Sequence, residues 1–442
     1  MSISKIQQKE KKRVVITGFG AVTPLGNTIA ESWRNLVQGK SGIGEITLFD
    51  ASKYPVKIAA EVKNFDFSAN LPEDLHPFVG RSTQFCIAAA REALTHAGID
   101  TARQDTANIG ISLGSNEESA HLSHWERLYE TKTVKQLLEL RQEGDRSVPP
   151  LHLANAHSLG KLWQIRRAAS TAAHILSILF NIQGPVRTST GACASSAQAI
   201  GKAMRLIQDG DAEVVLTGGC DSMLSEFCIA GFHRLRALSR NNDNPEKASR
   251  PFDLKRDGFV LGEGAGVLVL EELSHARRRN AVIYGELIGY GSSSNAYSIT
   301  ASPEDGRGAD LCMKAALRDA GCSIEDIDYI NAHGTSTYLN DKSETAAIKN
   351  VFKDRAYEVP VSSNKSMLGH LIASAAAIEL IMSVMTINEQ LIPPTINYEH
   401  PDPECDLDYV PNEPRCRPVE TILSNSFAFG GQNASVLVKK YQ

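Results

Sequence analysis

Short β-branched runs alternate along the chain with segments whose apolar positions recur at helical spacing, the pattern of an α/β protein. RVVITGFG (13–20), AEVVLTGG (212–219) and AGVLVLEE (265–272) predict strands. STQFCIAAAREALTHA (82–97) and residues 308–320 predict helices, as does the stretch after Cys193, where Ala197, Ile200, Met204 and Ile207 fall on one face. The pattern also repeats. ALTHAG (93–98) ends one predicted helix and leads through a strand to Gly114-Ser115, and half a chain later ALRDAG (316–321) leads through a strand to Gly334-Thr335-Ser336. Each copy is helix, glycine cap, strand and glycine turn. Two similar α/β halves are therefore expected, 13–275 and 276–442, behind a loose basic tail at 1–12. An excursion at about 116–165 breaks the rhythm. It carries the charged, helical ERLYETKTVKQLLELRQEGDRS and then the loop-like VPPLHLANAHSLG, and reads as a surface insertion or dimer-contact element.

Composition narrows the class. A chain of 442 residues exceeds one ordinary hydrophobic core, which agrees with a duplicated domain. Hydrophobic content of 42%, charged content of 22% and a net charge of −5 describe a soluble globular protein and exclude a nucleic-acid binder with a concentrated basic excess. No apolar stretch of signal-peptide length follows MSISKIQQKEKKR, and the strand-length runs are too short to span a bilayer, so a cytoplasmic protein without a membrane span is expected. The eight cysteines, at 86, 193, 220, 228, 312, 322, 405 and 416, form no C-x-x-C pair, so they read as reduced thiols and not as a disulfide framework or zinc ribbon.

Candidate chemistry is confined to a few turns. TGFGAVTPLG lacks the third glycine and the acidic residue of a dinucleotide site, and RDGFVLGEGAG lacks the Lys-Ser/Thr of a phosphate loop. FGGQNAS (429–435) reads as a glycine turn between the strands TILSNSF and SVLVKKY. His121, His124, His152 and His157 have no carboxylate or cysteine company at ligand spacing, so no metal site is expected there. His333, in YINAHGTSTYLND, stands just past a strand, and His370, in SNKSMLGHLIASAAAIEL, at the first turn of an apolar helix. A helix N-terminus disfavours imidazolium, so His370 is expected to stay neutral and offer an N–H to an oxygen gaining charge. Cys193, in TSTGACASSAQAIG, reads either as a small buried core residue or as a nucleophile. Its place between a strand, a glycine and a helix start favours the nucleophile, because a helix N-terminus stabilises the thiolate.

Together, GACASSAQAIG, SRPFDLKRDGFVLGEGAG, NAHGTSTYLNDKSE, SNKSMLGH and SNSFAFGGQNAS resemble the β-ketoacyl-[acyl carrier protein] synthases, closest to synthase II, from VVITGFGAVTPLG to the C-terminus except for about 116–165. The resemblance implies a thiolase-like fold, two duplicated halves in a five-layered αβαβα core, a homodimer, and a decarboxylating Claisen condensation. It implies Cys193 as the nucleophile, His333 and His370 as catalysts of decarboxylation, and Lys365 with Asp341, Glu344 and Glu379 as their support. It further implies backbone N–H groups of Cys193 and Phe429 as an oxyanion hole, with Phe429 also the acyl gate. Thr335 and Thr337 would hold the 4'-phosphopantetheine that arrives on acyl carrier protein; no metal or diffusible cofactor is implied. The chain departs from the pattern at Gln432 for threonine, Ala373 and Ala376 for glycines, and Tyr338 for proline. LPEDLHPFVG (71–80) lacks a basic docking cluster, leaving Arg236, with Lys161, Arg166 and Arg167 as substitutes. These departures bear on the carrier protein and the chain length, and they suit a fatty-acid pathway or a type II polyketide or polyene pathway with a second ketosynthase-like subunit. A non-elongating chain-length-factor-like subunit shares the fold but typically lacks the cysteine. A thiolase would need a second cysteine in the turn occupied by Phe429-Gly430-Gly431-Gln432.

Overall fold

The computed structural model describes residues 11–67, 71–103, 105–117 and 164–442, so most of the 116–165 excursion, Lys161, four of the histidines named above and the first ten residues lie outside it. The described strands of the central sheet are β1 (Val14–Val22), β2 (Ile109–Ser115), β3 (Val186–Ser189), β4 (Val214–Ser222), β5 (Glu263–Glu272), β6 (Gly285–Ser294), β7 (Tyr329–Asn331), β8 (Val361–Ser362), β9 (Thr421–Phe427) and β10 (Gln432–Lys439). Their order is β8-β7-β9-β10-β6-β1-β5-β4-β2-β3. Read in chain order, each run of five has the same arrangement: third, second, fourth, fifth, first. The pairing sense repeats as well. In both halves the third, second and fourth strands are parallel, and the fifth is antiparallel to the fourth and to the first. The two halves join where Val14, Val15 and Ile16 of β1 pair with Leu287, Glu286 and Gly285 of β6.

Every residue of β1, β4 and β5 is buried, which explains their near-continuous apolar runs: both faces of the sheet are covered. The helices used below are α1 (Arg81–Ala97), α2 (Ser195–Asp209), α3 (Ala309–Ala320), α4 (Tyr338–Phe352) and α5 (Ala375–Glu389). The outer layers are α1 against β1, β4 and β5, and α3, backed by α4, against β6 and β10. Between the halves lie α2, on β2 and β4, and α5, which touches β5 of one half and β9 of the other. This is the expected five-layered, thiolase-type arrangement. The echo read in the sequence is α1 with α3: both end on a left-handed glycine, Gly98 (φ 66°) and Gly321 (φ 65°), and each leads into the second strand of its half. Helix α5 is buried nearly all round, and the apolar stretch Ile372–Glu389, long enough to cross a bilayer, is 83% buried inside the protein. It is an interior helix, apolar because it is packed between the two halves of the sheet. Lys11, at the end of the basic tail, is anchored to Asp319 (3.0 Å).

Close approach of helix to strand brings the middle layer into register. A Cβ on Gly114, at the end of β2, would stand 2.3 Å from the Ser196 nitrogen and 2.4 Å from the Ser195 carbonyl carbon. On Gly219 of β4 it would stand 2.6 Å from the Gly114 oxygen and 2.9 Å from the Ala373 oxygen. The start of α2 therefore rests directly on the strand backbone. Gly114→Ala is expected to push α2 off β2 and to destabilise the fold by about 1–3 kcal/mol, the usual cost of overpacking a tight core. A chemical-denaturation midpoint compared with the wild type reads this, and the same displacement should slow any reaction of Cys193.

Candidate active site

Two strained turns meet at the middle of the molecule. After β3 the chain passes Gly191 into a 3-10 turn, Ala192–Ala194, and then α2; Ala192 has a left-handed φ of 48°. The serines of the stretch serve this turn, since Ser195 Oγ accepts from the Gly191 N–H (2.8 Å) and donates to the Ala192 carbonyl (2.7 Å). In the second half a 3-10 turn, Ile372–Ser374, precedes α5, Ile372 has φ 45°, and Ser374 Oγ donates to the Leu371 carbonyl (2.9 Å). A β-branched residue in that conformation costs on the order of 1–3 kcal/mol and persists only where its surroundings enforce it. Here Asp221 on β4 accepts the Ala373 N–H (3.0 Å) and the Asn116 side-chain amide (3.0 Å), pinning the turn from below.

His370 is not on the helix, as its sequence context suggested. It lies in an extended segment bridged to Leu261, ahead of the turn. The strained turn aims the Ile372 N–H at His370 Nδ1 (3.2 Å). Nδ1 is thus an acceptor, the ring proton sits on Nε2, and Nε2 faces Cys193 Sγ at 3.1 Å. His333 follows β7, its ring edge-on to that of His370 with centroids 5.3 Å apart. Its backbone N–H and that of Gly334 donate to Glu344 (2.8 and 2.7 Å), and its Nδ1 is buried without a partner. Cys193, His333 and His370 are all buried, with one ligand-type atom from each within 4.8 Å of the others. Proximity alone would admit a metal ion, but the donor set does not fit one. With Nδ1 accepting from Ile372, His370 offers Sγ an N–H and not a lone pair.

Lys365 and Glu379 form a buried ion pair (2.5 Å) behind the histidines. Burial, together with the charge of Lys365, holds both imidazoles well below the ordinary histidine range, and His370 lowers His333 further. Both rings are therefore neutral at physiological pH. Of the three carboxylates expected around Lys365, only Glu379 contacts it. Glu344 holds the His333 turn, and burial raises its pKa to about 7 against the N–H groups of Gly334 and His333. Asp341 is paired instead with the Arg256 guanidinium (3.7 Å). Cys193 departs from its expectation too: burial pushes its thiol up to about 11, although the Phe429 N–H, the Lys365 charge and its own N–H pull the other way. Desolvation outweighs the helix start, and the resting sulfur is a thiol.

The three groups lie in a cavity of about 440 Å³. Ala192, Met223, Phe232, Ile372 and Phe429 give it an apolar lining, while Thr335, Thr337, Tyr338 and Arg236 belong to its polar side. Thr335 and Thr337 hydroxyls are 2.9 Å apart. Arg236 also borders an open cleft with His233, Arg234, Leu238, Arg240 and Asp257, basic in its balance of three arginines to one aspartate. Arg167 is engaged with Glu117 (3.6 Å). Gln432 accepts from Gln198 (2.9 Å), tying the glycine turn of one half to the helix after Cys193. Asn116, Asp221 and Arg256 were not singled out from the sequence. Asn116 and Asp221 carry no motif, and the stretch containing Arg256 stands out for its glycines and as a family motif, neither of which points to the arginine.

A buried thiol at a helix start, faced by two neutral imidazoles between duplicated halves, defines a thiolase-fold acyl-transferring enzyme. The comparisons are specific. Residues 11–276 match the Beta-ketoacyl synthase, N-terminal domain, and residues 284–399 the Beta-ketoacyl synthase, C-terminal domain. The chain belongs to the β-ketoacyl synthase family. It is 42% identical to the 3-oxoacyl-[acyl-carrier-protein] synthase 2 of Coxiella burnetii over 98% of this chain and 99% of the relative. It is likewise 42% identical to the protein of that name from Synechocystis sp., with the same coverage. Among solved structures it resembles the ketosynthase complex AntDE:AntF (TM-score 0.83, 32% identity, 98% of this chain and 100% of that chain). It also resembles the ishigamide ketosynthase/chain length factor (TM-score 0.81, 33% identity, 98% and 100%). The protein is thus a condensing acyltransferase of the β-ketoacyl-[acyl carrier protein] synthase class, with synthase 2 among its relatives.

The raised thiol has a measurable consequence. Alkylation of Cys193 by iodoacetamide is expected to accelerate by about tenfold per pH unit between pH 7 and pH 9, since the thiolate fraction grows throughout that range. Intact-mass kinetics with Cys193→Ser as the blank would show it. A rate that is flat with pH would mean a thiolate already formed at neutrality.

Proposed function

We propose that the protein elongates acyl chains on acyl carrier protein in fatty-acid synthesis, using Cys193 as the acyl carrier. The observation that carries this reading is the His370 Nε2–H held 3.1 Å from Cys193 Sγ beside the neutral His333. In the first half-reaction Sγ attacks the thioester carbonyl of the incoming chain, the pantetheine sulfur leaves, and the thiol proton passes to it. The oxyanion of the tetrahedral adduct is received by the N–H groups of Cys193 and Phe429, both of which bear on Sγ. In the second, malonyl-carrier protein binds along Thr335 and Thr337 with its thioester oxygen toward the two imidazoles. Loss of carbon dioxide leaves an enolate, which their N–H groups stabilise as fixed donors in a dry site. The enolate carbon attacks the Cys193 thioester, and Sγ departs and takes up a proton. Burial and the charge of Lys365, which Glu379 holds in place, keep the histidines neutral, so that each can donate; Glu344 orients His333.

Arg236 and the neighbouring basic cleft would meet an acidic carrier protein at the cavity mouth. The two halves, 13–275 and 276–442, would share the cavity between them. A dimer completes the enzyme, either with a second copy or with a ketosynthase-like subunit, as in the ketosynthase/chain length factor pairs among its structural neighbours. The intact nucleophile and histidines favour the elongating role over that of a silent chain-length partner, and a cytoplasmic location suits a soluble carrier protein.

Acyl-carrier proteins of graded chain length, incubated with the enzyme and read by intact mass, test the assignment. The wild type is expected to gain the acyl mass and Cys193→Ser to gain none. His333→Ala should still acylate but lose decarboxylation of malonyl-carrier protein by about 10²–10³-fold, the usual effect of removing one preorganised donor. Absence of acylation with every donor would sink the reading.

A further inference from the structure

The stretch SRPFDLKRDGF holds a buried cation that the mechanism above does not use. Arg256 is buried, its guanidinium fully so, and each nitrogen of its fork has a hydrogen-bond partner. Nη1 donates to Asp402 (2.5 Å) and to the Asp253 carbonyl (2.9 Å). Nε donates to the Thr337 carbonyl (3.3 Å) and Nη2 to the Tyr338 carbonyl (3.2 Å). Asp341 stands 3.7 Å from Nε, and the guanidinium lies 5.2 Å from the centre of the Tyr338 ring. The same stretch grips the loop at two more points, with the Arg250 N–H on Ser336 Oγ (2.9 Å) and the Gly258 N–H on the Ser336 carbonyl (3.0 Å). Ser336 sits at φ 68°, a conformation that this grip maintains.

The gripped loop carries Thr335, Thr337 and Tyr338, all of which line the cavity. On its outer side the Tyr338 hydroxyl donates to Glu404 (2.8 Å), which Lys342 also pairs (2.6 Å). The loop is therefore fastened from inside by a planar fork and from outside by a tyrosine. A point charge could neutralise Asp341 and Asp402 equally well, but only a guanidinium reaches two successive carbonyls and a carboxylate at once.

We propose that Arg256 is a positioning residue for the carrier-borne pantetheine arm: its guanidinium holds the carbonyls of Thr337 and Tyr338 so that the two threonine hydroxyls stay presented to the cavity, with Tyr338 bracing the same loop at the rim. This rests on the proposed reading of the cavity. Arg256 touches neither the sulfur nor the histidines, so its loss acts on binding and not on the nucleophile.

Arg256→Lys keeps the charge and removes the fork. Steady-state kinetics with acyl- and malonyl-carrier protein, set beside iodoacetamide alkylation of Cys193, separate the possibilities. KM for the carrier-bound substrates is expected to rise about tenfold, as for loss of charge-assisted hydrogen bonds, with kcat and alkylation rate within about twofold of wild type. An unchanged KM, or a parallel fall of kcat and alkylation that marks general loosening, overturns the proposal. If a thermal melt finds Arg256→Lys unfolded, Tyr338→Phe decides: a KM rise of about threefold supports the brace, and no rise overturns it. A wild type that accepts no acyl group from any carrier protein would fail the proposed function itself, before either variant is compared.

Discussion

A lysine ammonium buried against a glutamate in the middle layer governs the chemistry. Lys365 sits on the short turn before His370, and Glu379 on α5, 2.5 Å away. A buried ion pair contributes little net stability, because the desolvation of both charges offsets their attraction. Its influence is electrostatic and local: the ammonium makes imidazolium unfavourable at His333 and His370 and favours negative charge on the nearby sulfur. Burial is the larger cause and the ammonium adds to it at the imidazoles, so two neutral rings stand beside a sulfur that burial keeps as a thiol.

The pair can stand there because the fold supplies a dry middle layer. Helices α2 and α5 are packed between the two halves of the sheet, which share one topology, and both begin in a turn with a left-handed first residue, Ala192 and Ile372. The turns do different work. In the first half the turn presents a side chain, Cys193; in the second it presents a backbone N–H, from Ile372, that fixes the tautomer of a histidine on the preceding segment. Duplication thus supplied two similar scaffolds facing each other, and divergence gave them complementary chemistry. The strain at both turns is held by serine hydroxyls, by Asp221 and by strand glycines that let the helix starts sit against the sheet.

The carboxylates show how burial distributes roles among like residues. Glu379, Glu344 and Asp341 are all buried acids in the second half, and each has a different counterpart: an ammonium, a pair of backbone N–H groups, and a guanidinium. Glu379 pairs the ammonium beside the histidines, Glu344 holds the His333 turn, and Asp341 belongs to the loop of Thr335 and Thr337.

Alternating apolar runs, the repeated helix–glycine–strand unit and the five motifs were enough to specify the α/β class and the duplication, and they pointed to Cys193, His333 and His370, which the fold brings together. Those features are local: strand burial, a left-handed glycine cap and the residues flanking a turn are written in neighbouring positions. The protonation states were not legible in the same way. The helix start after Cys193 suggested an activated thiolate, whereas burial beneath both halves, a property of distant segments, raises the thiol. His370 looked like the first turn of a helix because its neighbours are alanines, yet a strained turn intervenes that only packing against β4 and Asp221 maintains. The partner of each buried cation was likewise hidden, since Lys365 takes Glu379 and Arg256 takes Asp402 and Asp341, choices that depend on which layer each carboxylate points into. Sequence alone determined the α/β class, the duplication and the family; tertiary structure decided which side chains meet, which are dry, which are paired and which carry a proton, because those depend on what the rest of the chain places around them.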